Sequence, residues 1–193
     1  FPTSVYGATG GLIGDTVVIC GGADASYSFV DECYNLTSDK VTLFTNMSVA
    51  RFYAASIVLN DNILWVTGGT NGDLLSSTEY VTVTGTMLGP DLPIALSYHA
   101  MVAINRTCSM VIGCRDENWD NSTLTCFYDH NEEEWINGPS LIQARYHHAA
   151  GIVTDDVTDE HYVAVTGGYG SGPLDSTEIL EYGEWVQGKI SIT

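Results

Sequence analysis

Four short apolar runs, each ending at a glycine, recur along the 193-residue chain at nearly equal spacing. They end at Gly21–Gly22, Gly68–Gly69, Gly113–Cys114 and Gly167–Gly168. The period is about 50 residues, which is typical of tandem repeats that each form one supersecondary unit. A chain with this pattern is expected to stack similar small units on one another.

Each run belongs to a larger repeat of four strand-like segments separated by turn residues. The first segments begin at Tyr6, Arg51, Ser97 and Arg145, and the third segments begin at Asp31, Ser77, Leu124 and Ser176. A fourth segment is clearest at Trp135 and Trp185. The repeats span approximately 4–48, 49–94, 95–141 and 142–190, and no helical pattern is evident.

The glycine doublets, the Arg145-Tyr-His-His segment and the late tryptophans resemble the Kelch repeat. The resemblance implies an all-β fold, a Kelch-type β-propeller with four four-stranded antiparallel blades over residues 1–193. It also implies that Trp135 and Trp185 are buried between blades. The third repeat departs from the pattern with Gly113–Cys114, and the first two repeats lack the late tryptophan.

The number of blades in the complete ring stays open. The chain could form a closed four-bladed ring, part of a larger propeller, or an open arc completed by another chain. Residues 188–193 lie where a further blade would begin, which favours part of a larger propeller. The chain starts at Phe1 with no visible signal peptide, so we expect that it has been processed or that its start is missing.

The formal charge is −18, from 24 Asp and Glu against six Lys and Arg. Nucleic-acid binding needs the opposite sign to neutralise phosphates, so we exclude it. No apolar run approaches the roughly 18 residues of a membrane span, so no membrane insertion is expected. The charge is interpreted chiefly as a solvated acidic surface.

Two features indicate a secreted, extracellular protein. Four N-x-S/T sequons, at Asn35, Asn46, Asn105 and Asn121, are predicted glycosylation sites. Two cysteine pairs fall on predicted second and third strands, and such strands can bring Cβ atoms within bonding range. The pattern therefore predicts disulfides Cys20–Cys33 and Cys114–Cys126, which require an oxidising compartment. Cys108 is left over, although it could take Cys126 instead.

Few residues suggest chemistry. His99 and His148 share one position in consecutive repeats and are weak candidates for a metal site, against a structural role as the Kelch resemblance implies. Acidic segments at 116–120, 132–134 and 155–160 offer oxygen ligands for calcium but match no calcium motif. Galactose oxidase is a Kelch-type enzyme, and its copper-ligand arrangement is not recognisable here. We predict no catalytic residues and no cofactor.

The sequence therefore predicts a non-enzymatic binding or scaffolding module that acts through a protein partner or self-association. A glycan-binding propeller is the alternative, with Trp119 as a stacking platform. A secreted oxidase or hydrolase is the least favoured interpretation.

Overall fold

The computed structural model describes residues 4–188, and this part of the chain contains strands but no helix. Sheet 1 holds β1 (Thr9–Ile13), β2 (Thr16–Cys20), β3 (Glu32–Leu36) and β4 (Val41–Asn46). Sheet 2 holds β5 (Ala55–Leu59), β6 (Ile63–Thr67), β7 (Thr78–Thr82) and β8 (Gly85–Leu88). Sheet 3 holds β9 (Ala100–Asn105), β10 (Cys108–Arg115), β11 (Asn121–Asp129) and β12 (Glu134–Asn137). Sheet 4 holds β13 (Ala149–Thr154), β14 (His161–Thr166), β15 (Thr177–Glu181) and β16 (Glu184–Gln187).

All four sheets are antiparallel meanders in which each strand pairs with the next one along the chain. The predicted all-β class, with four four-stranded sheets, is confirmed. Because there is no helix among residues 4–188, no described helix could cross a membrane. Residues 189–193, which include the end of the fourth predicted repeat and most of the predicted start of a further blade, lie outside the described residues.

The chain divides into two compact units, Phe1–Ser97 with sheets 1 and 2 and Tyr98–Thr193 with sheets 3 and 4. We call them unit 1 and unit 2. Each unit has an apolar core between its two sheets. The unit 1 core contains Ile13, Val18, Cys20, Cys33, Met47, Leu64, Val66 and Val81. The unit 2 core contains Val102, Met110, Ile112, Leu141, Val163, Val165 and Trp185.

Strand register shows which positions of the four sheets are equivalent. The residue before each first glycine pairs across to the third strand, as Cys20↔Cys33, Thr67↔Thr78, Ile112↔Thr125 and Thr166↔Thr177. The same residues pair back to the start of the first strand, at Thr9, Ala55, Ala100 and Ala149. Residues that hold the same place in this register are equivalent between sheets.

The glycine doublet lets the end of a second strand approach the backbone of neighbouring segments. Gly21 and Gly22 have φ values of 70° and 103°. A Cβ at Gly21 would lie 2.4 Å from the carbonyl oxygen of Arg51, to which Gly22 donates its N–H at 2.8 Å. A side chain is therefore excluded by both φ and space. Positive φ recurs at Gly68, Gly69, Gly113, Gly167 and Gly168.

Candidate functional site

A partly exposed aromatic cluster, which includes the buried ring of Phe52, lies at the start of the first strands of unit 1. The ring centroid of Tyr6 lies 4.9 Å from that of Phe52 and 6.2 Å from that of Tyr27. Phe52 also contacts Tyr53 at 3.7 Å and Phe29 at 6.1 Å. Tyr27 is 68% exposed and Tyr6 is 40% exposed. We call these five residues aromatic surface A.

Two tyrosines of aromatic surface A have a left-handed backbone, with φ of 59° at Tyr27 and 54° at Tyr53. Sheet 1 has Gly7, at φ 65°, where sheet 2 has Tyr53. A bulky side chain in this region costs about 1 kcal/mol or more relative to glycine. Such strain clusters at functional positions. Tyr27 combines this backbone with an exposed ring, which makes this surface the leading candidate site.

Unit 2 has an aromatic cluster at the same positions of its sheets. Tyr98 and His147 are equivalent to Tyr53 and also have positive φ, at 58° and 54°. Their ring centroids lie 4.4 Å apart, and Tyr146 lies 5.7 Å from Tyr98 and 5.9 Å from Tyr169. We call Tyr98, Tyr146, His147 and Tyr169 aromatic surface B. The guanidinium of Arg115 lies 4.3 Å from the centroid of the Tyr146 ring, in a cation–π contact.

Charged groups border both aromatic surfaces. The Asp24 carboxylate accepts hydrogen bonds from the backbone N–H groups of Ser26 and Ser28 at 2.8 and 2.9 Å, which orders the loop that carries Tyr27. Desolvation and a hydrogen bond with Tyr27 raise the pKa of Tyr6. Burial, together with the positive charge of Arg115, lowers the pKa of His147. Aromatic surface A thus presents neutral rings beside a carboxylate.

A cavity of about 610 Å³ with both polar and apolar lining lies in unit 2. It is lined by Asp120, Asn121, Gln143, Ala144, Gly170, Ser171 and Leu174. The side-chain amide of Asn121 donates to the carbonyl oxygen of Gly170 at 2.7 Å. Trp119, which precedes the lining residue Asp120 in the chain, is 42% exposed and has a φ of 60°. The cavity therefore offers amide and carboxylate groups next in sequence to an exposed indole.

Two buried ion pairs hold equivalent positions in sheets 2 and 4. Arg51 contacts Glu79 at 3.1 Å, and Arg145 contacts Glu178 at 2.7 Å, with all four side chains at most 1% exposed. Each arginine also donates to a glycine carbonyl and to the serine just before the third strand, namely Gly68 and Ser77, or Gly167 and Ser176. These networks are structural because they lie beneath the surface.

The glutamates complete the networks by accepting backbone hydrogen bonds. Glu79 accepts from Ser48 and Val49, and Glu178 accepts from Ile142 and Gln143. The segment that leads into each sheet is thereby fixed to its third strand. These ion pairs were not predicted from the sequence. Their residues do recur there, as an arginine before the first strand and a Ser-Thr-Glu segment at the third strand.

The structure brings His99 and His148 close enough to interact electrostatically inside unit 2. Burial, then the neighbouring His148, lowers the pKa of His99 to about 3, and burial, then Arg145, lowers the pKa of His148 to about 4. Both imidazoles are therefore neutral above pH 5. Among residues 4–188 no group of three or more His, Cys, Asp or Glu is arranged to hold a metal ion.

The two predicted disulfides have different outcomes. Cys20 and Cys33 are directly opposite each other on β2 and β3 and form a disulfide. The prediction of Cys114–Cys126 is wrong, because both are free thiols, as is Cys108. Cys114 pairs with Ser122, and Cys126 pairs with Val111, after a shift in register at Gly113. Burial raises the pKa of Cys114 to about 12, which keeps its thiol protonated.

The predicted glycosylation sites occupy two kinds of environment. Asn46, at the end of β4, and Asn105, at the end of β9, are exposed. Asn35 and Asn121 are half-buried, and their side chains already bond to Thr42 and to the Gly170 carbonyl. A glycan on Asn121 would modify the amide nitrogen that donates this hydrogen bond and leave it a single hydrogen.

The two tryptophans expected between sheets differ in burial. Trp185 is 6% exposed, belongs to the core shared with sheet 3, and donates to the Pro139 carbonyl oxygen at 3.0 Å. Trp135 is half-buried, and its ring centroid lies 4.9 Å from that of Tyr128. The expected inter-sheet position therefore describes Trp185 within unit 2.

The acidic segments considered for calcium use their carboxylates in turns. Asp116 accepts from the N–H groups of Asn118 and Asp120, and Asp155 accepts from those of Val157 and Thr158. These bonds lower the pKa of Asp155. The carboxylates thus organise the local hairpins.

No known protein-family model matches the chain, and no curated protein matches it.

Proposed function

We propose that this chain is an extracellular, non-enzymatic binding module built of Kelch-type propeller blades, and that aromatic surfaces A and B bind a protein partner. The proposal rests on aromatic side chains that cluster at the starts of the first strands in both units, with positive φ at the equivalent residues Tyr53, Tyr98 and His147. In each cluster some rings are exposed, namely Tyr6 and Tyr27 in unit 1 and His147 and Tyr169 in unit 2. Tyrosine supplies large, rigid contact area with little loss of side-chain entropy, which is why binding loops use it.

Three further features support the proposal. Four consecutive meanders of four strands suit the blades of a propeller. The Cys20–Cys33 disulfide suits an oxidising compartment. Exposed sequons at Asn46 and Asn105 suit glycosylation. The net charge of −18 and the carboxylate of Asp24 favour a partner that presents lysine or arginine to the rings.

The test is binding of the purified chain to an array of purified extracellular protein domains, compared with Tyr27→Gly. We expect protein ligands on the array, and at least about a tenfold loss of affinity in the variant, because a contact tyrosine contributes 1.4 kcal/mol or more. Thermal stability should stay unchanged, since glycine relieves the left-handed backbone at a ring that is 68% exposed.

The matched control is Tyr182→Gly. Tyr182 is 95% exposed and has a φ of 48°, but it lies in the β15–β16 turn, away from the starts of the first strands. Equal loss of binding in both variants, or full binding by Tyr27→Gly, would contradict the proposal.

Glycan binding is the second candidate. It is favoured by the exposed indole of Trp119 and by the amide and carboxylate groups of the cavity residues Asp120 and Asn121, which follow it in the chain. Sugars stack on an indole while amides and carboxylates bond to their hydroxyl groups. A glycan array distinguishes the two candidates: saturable glycan signals that disappear in Trp119→Ala support the second, and an array without signals refutes it.

A further inference from the structure

Each sheet has two faces, which we call forward and reverse. Inside unit 1 the forward face of one sheet packs on the reverse face of the other. The forward face of sheet 1 (Thr9, Gly11 and Ile13) packs on the reverse face of sheet 2, which carries Val58 and Leu64. The Thr9 hydroxyl bonds to that of Ser56 at 2.6 Å. A Cβ on Gly11 would lie 2.6 Å from Val58 Cγ2 and 2.9 Å from Leu64 Cδ1. These two side chains therefore fill the space that Gly11 leaves.

Unit 2 repeats the same order of faces. Val102, Met110 and Ile112 lie on the forward face of sheet 3 and share a core with the reverse face of sheet 4. That reverse face contributes Ala150 and Val163, which are the equivalents of Ser56 and Leu64. In both units, therefore, the forward face of the first sheet packs on the reverse face of the second.

Within unit 2, no described residue covers the forward face of sheet 4 in this way. It forms an almost entirely apolar concavity of about 330 Å³ whose lining includes Ala149, Gly151, Val153, Ala164 and Ile179. Gly151 is the equivalent of Gly11, because each is the third residue of its strand. In contrast to Gly11, a Cβ on Gly151 would meet nothing within 4 Å. Among the described residues of unit 2, none fills the space that Val58 and Leu64 fill in unit 1.

The reverse face of sheet 1 presents the complementary shape. Leu12 and Val17 face each other across β1 and β2, as Val58 and Leu64 do across β5 and β6. Leu12 is 54% exposed, Val17 is 41% exposed, and Leu43 on the same face is 56% exposed. Apolar patches of this kind on a folded protein mark interaction surfaces.

We propose that these two faces bind each other between copies of the chain, head to tail, with Leu12 and Val17 of one copy filling the space above Gly151 of the next. The occupant is a second copy, since the chain carries faces of both kinds and the two kinds already pack together inside each unit. A contact between two different patches is heterologous, so it can continue from copy to copy. It uses a different surface from aromatic surfaces A and B, so either proposal can fail without the other.

The experiment is sedimentation velocity of the full chain, 20.8 kDa, up to about 100 μM. We compare it with Leu12→Asp and Gly151→Asp, which place a charge in one face each. The controls are Val157→Asp, at a side chain 93% exposed in the β13–β14 hairpin, and Gly172→Asp, where a Cβ also meets nothing within 4 Å. Circular dichroism checks that each variant is folded.

We expect the unmodified chain and both controls to sediment above the mass of one copy, increasingly with concentration. Leu12→Asp and Gly151→Asp should each sediment as single copies. An equimolar mixture of these two variants should form dimers and nothing larger, because it retains one intact forward face and one intact reverse face. A single-copy mass for the unmodified chain, a mixture that stays at one copy, or loss of association in Leu12→Asp alone would overturn the proposal.

Discussion

Units 1 and 2 have the same strand order and register but are stabilised by different chemistry. Unit 1 joins β2 to β3 through the Cys20–Cys33 disulfide, and it has Ala8 and Ala54 where unit 2 has His99 and His148. Unit 2 buries two neutral imidazoles and two free thiols. The register of the repeat is therefore compatible with different side chains at its interior positions. We expect the two units to respond differently to reductant and to acid.

The buried ion pairs are the feature that the two units share, one in sheet 2 and one in sheet 4. Replacing Arg145 by Leu should lower the free energy of unfolding by about 3–5 kcal/mol, because Glu178 stays buried without its charged partner. Arg51→Leu should cost unit 1 a similar amount. Chemical denaturation measures both values.

The control takes its residues from sheet 3, where Leu96 and Cys126 hold the positions of Arg145 and Glu178. The double variant Arg145→Leu with Glu178→Cys should recover part of the lost stability. If Arg145→Leu alone cost under about 1 kcal/mol, the pair would not hold the sheet as described.

The disulfide should distinguish the units most clearly. Removing it in Cys20→Ala with Cys33→Ala opens a link between residues 13 apart, which should destabilise unit 1 by about 3 kcal/mol. Hydrogen exchange should accelerate in β1–β4 and stay unchanged in β9–β16. Cys108→Ser is the control and should alter neither unit; equal acceleration in both units would contradict the comparison.

Acid should reverse that difference. The folded pKa values of His99 and His148, about 3 and about 4, lie below the value of about 6.5 for an unfolded histidine. The unfolded state therefore binds more protons, and stability falls as the pH drops below about 6.5. At pH 5 the loss should be about 2 kcal/mol for each histidine, and it should appear in unit 2.

His99→Ala reproduces the residue that unit 1 has at this position, and it should flatten the pH dependence in unit 2. Hydrogen exchange at pH 7.5 and pH 5 measures the effect after correction for intrinsic exchange rates. A pH dependence that persists in a His99→Ala, His148→Ala double variant would show that other groups are responsible.

The smallest difference expected is between two equivalent glycines. Gly11→Ala should cost about 1.5 kcal/mol, because its Cβ overlaps Val58 and Leu64. Gly151→Ala should be neutral or stabilising by a few tenths of a kcal/mol in the single copy, because the added methyl group meets no atom and restricts the unfolded chain. Equal costs at both positions would mean that the two faces are not packed differently.

The sequence was sufficient to predict the four sheets, because apolar runs form strands and glycine doublets mark strand ends through local backbone preference. It was not sufficient for register. Matching Cys126 to Cys33 by residue type placed it one residue off, because Ile112 pairs with Thr125 and the ladder shifts at Gly113. The Arg51–Glu79 and Arg145–Glu178 pairs join residues 28 and 33 apart, so the repeated arginine and Ser-Thr-Glu segments do not by themselves show which residues meet.

The aromatic surfaces were harder to predict for a different reason. Tyr53, Tyr98 and His147 were visible in the repeated first segments, but non-glycine residues seldom adopt positive φ, least of all bulky ones such as tyrosine. The backbone there is set by the surrounding packing and not by local preference. Only Gly7, at the equivalent position of sheet 1, carried the usual local signal.

Counting thiols tests whether one repeat register holds a disulfide in unit 1 and free thiols in unit 2. The native protein is unfolded in guanidinium with an alkylating reagent, with and without prior reduction, and its mass is measured. Three of the five cysteines should be alkylated without reduction and five after it. Five without reduction would remove the disulfide and the support it gives to an extracellular site of action, and one without reduction would mean that the described register of β10 and β11 is wrong.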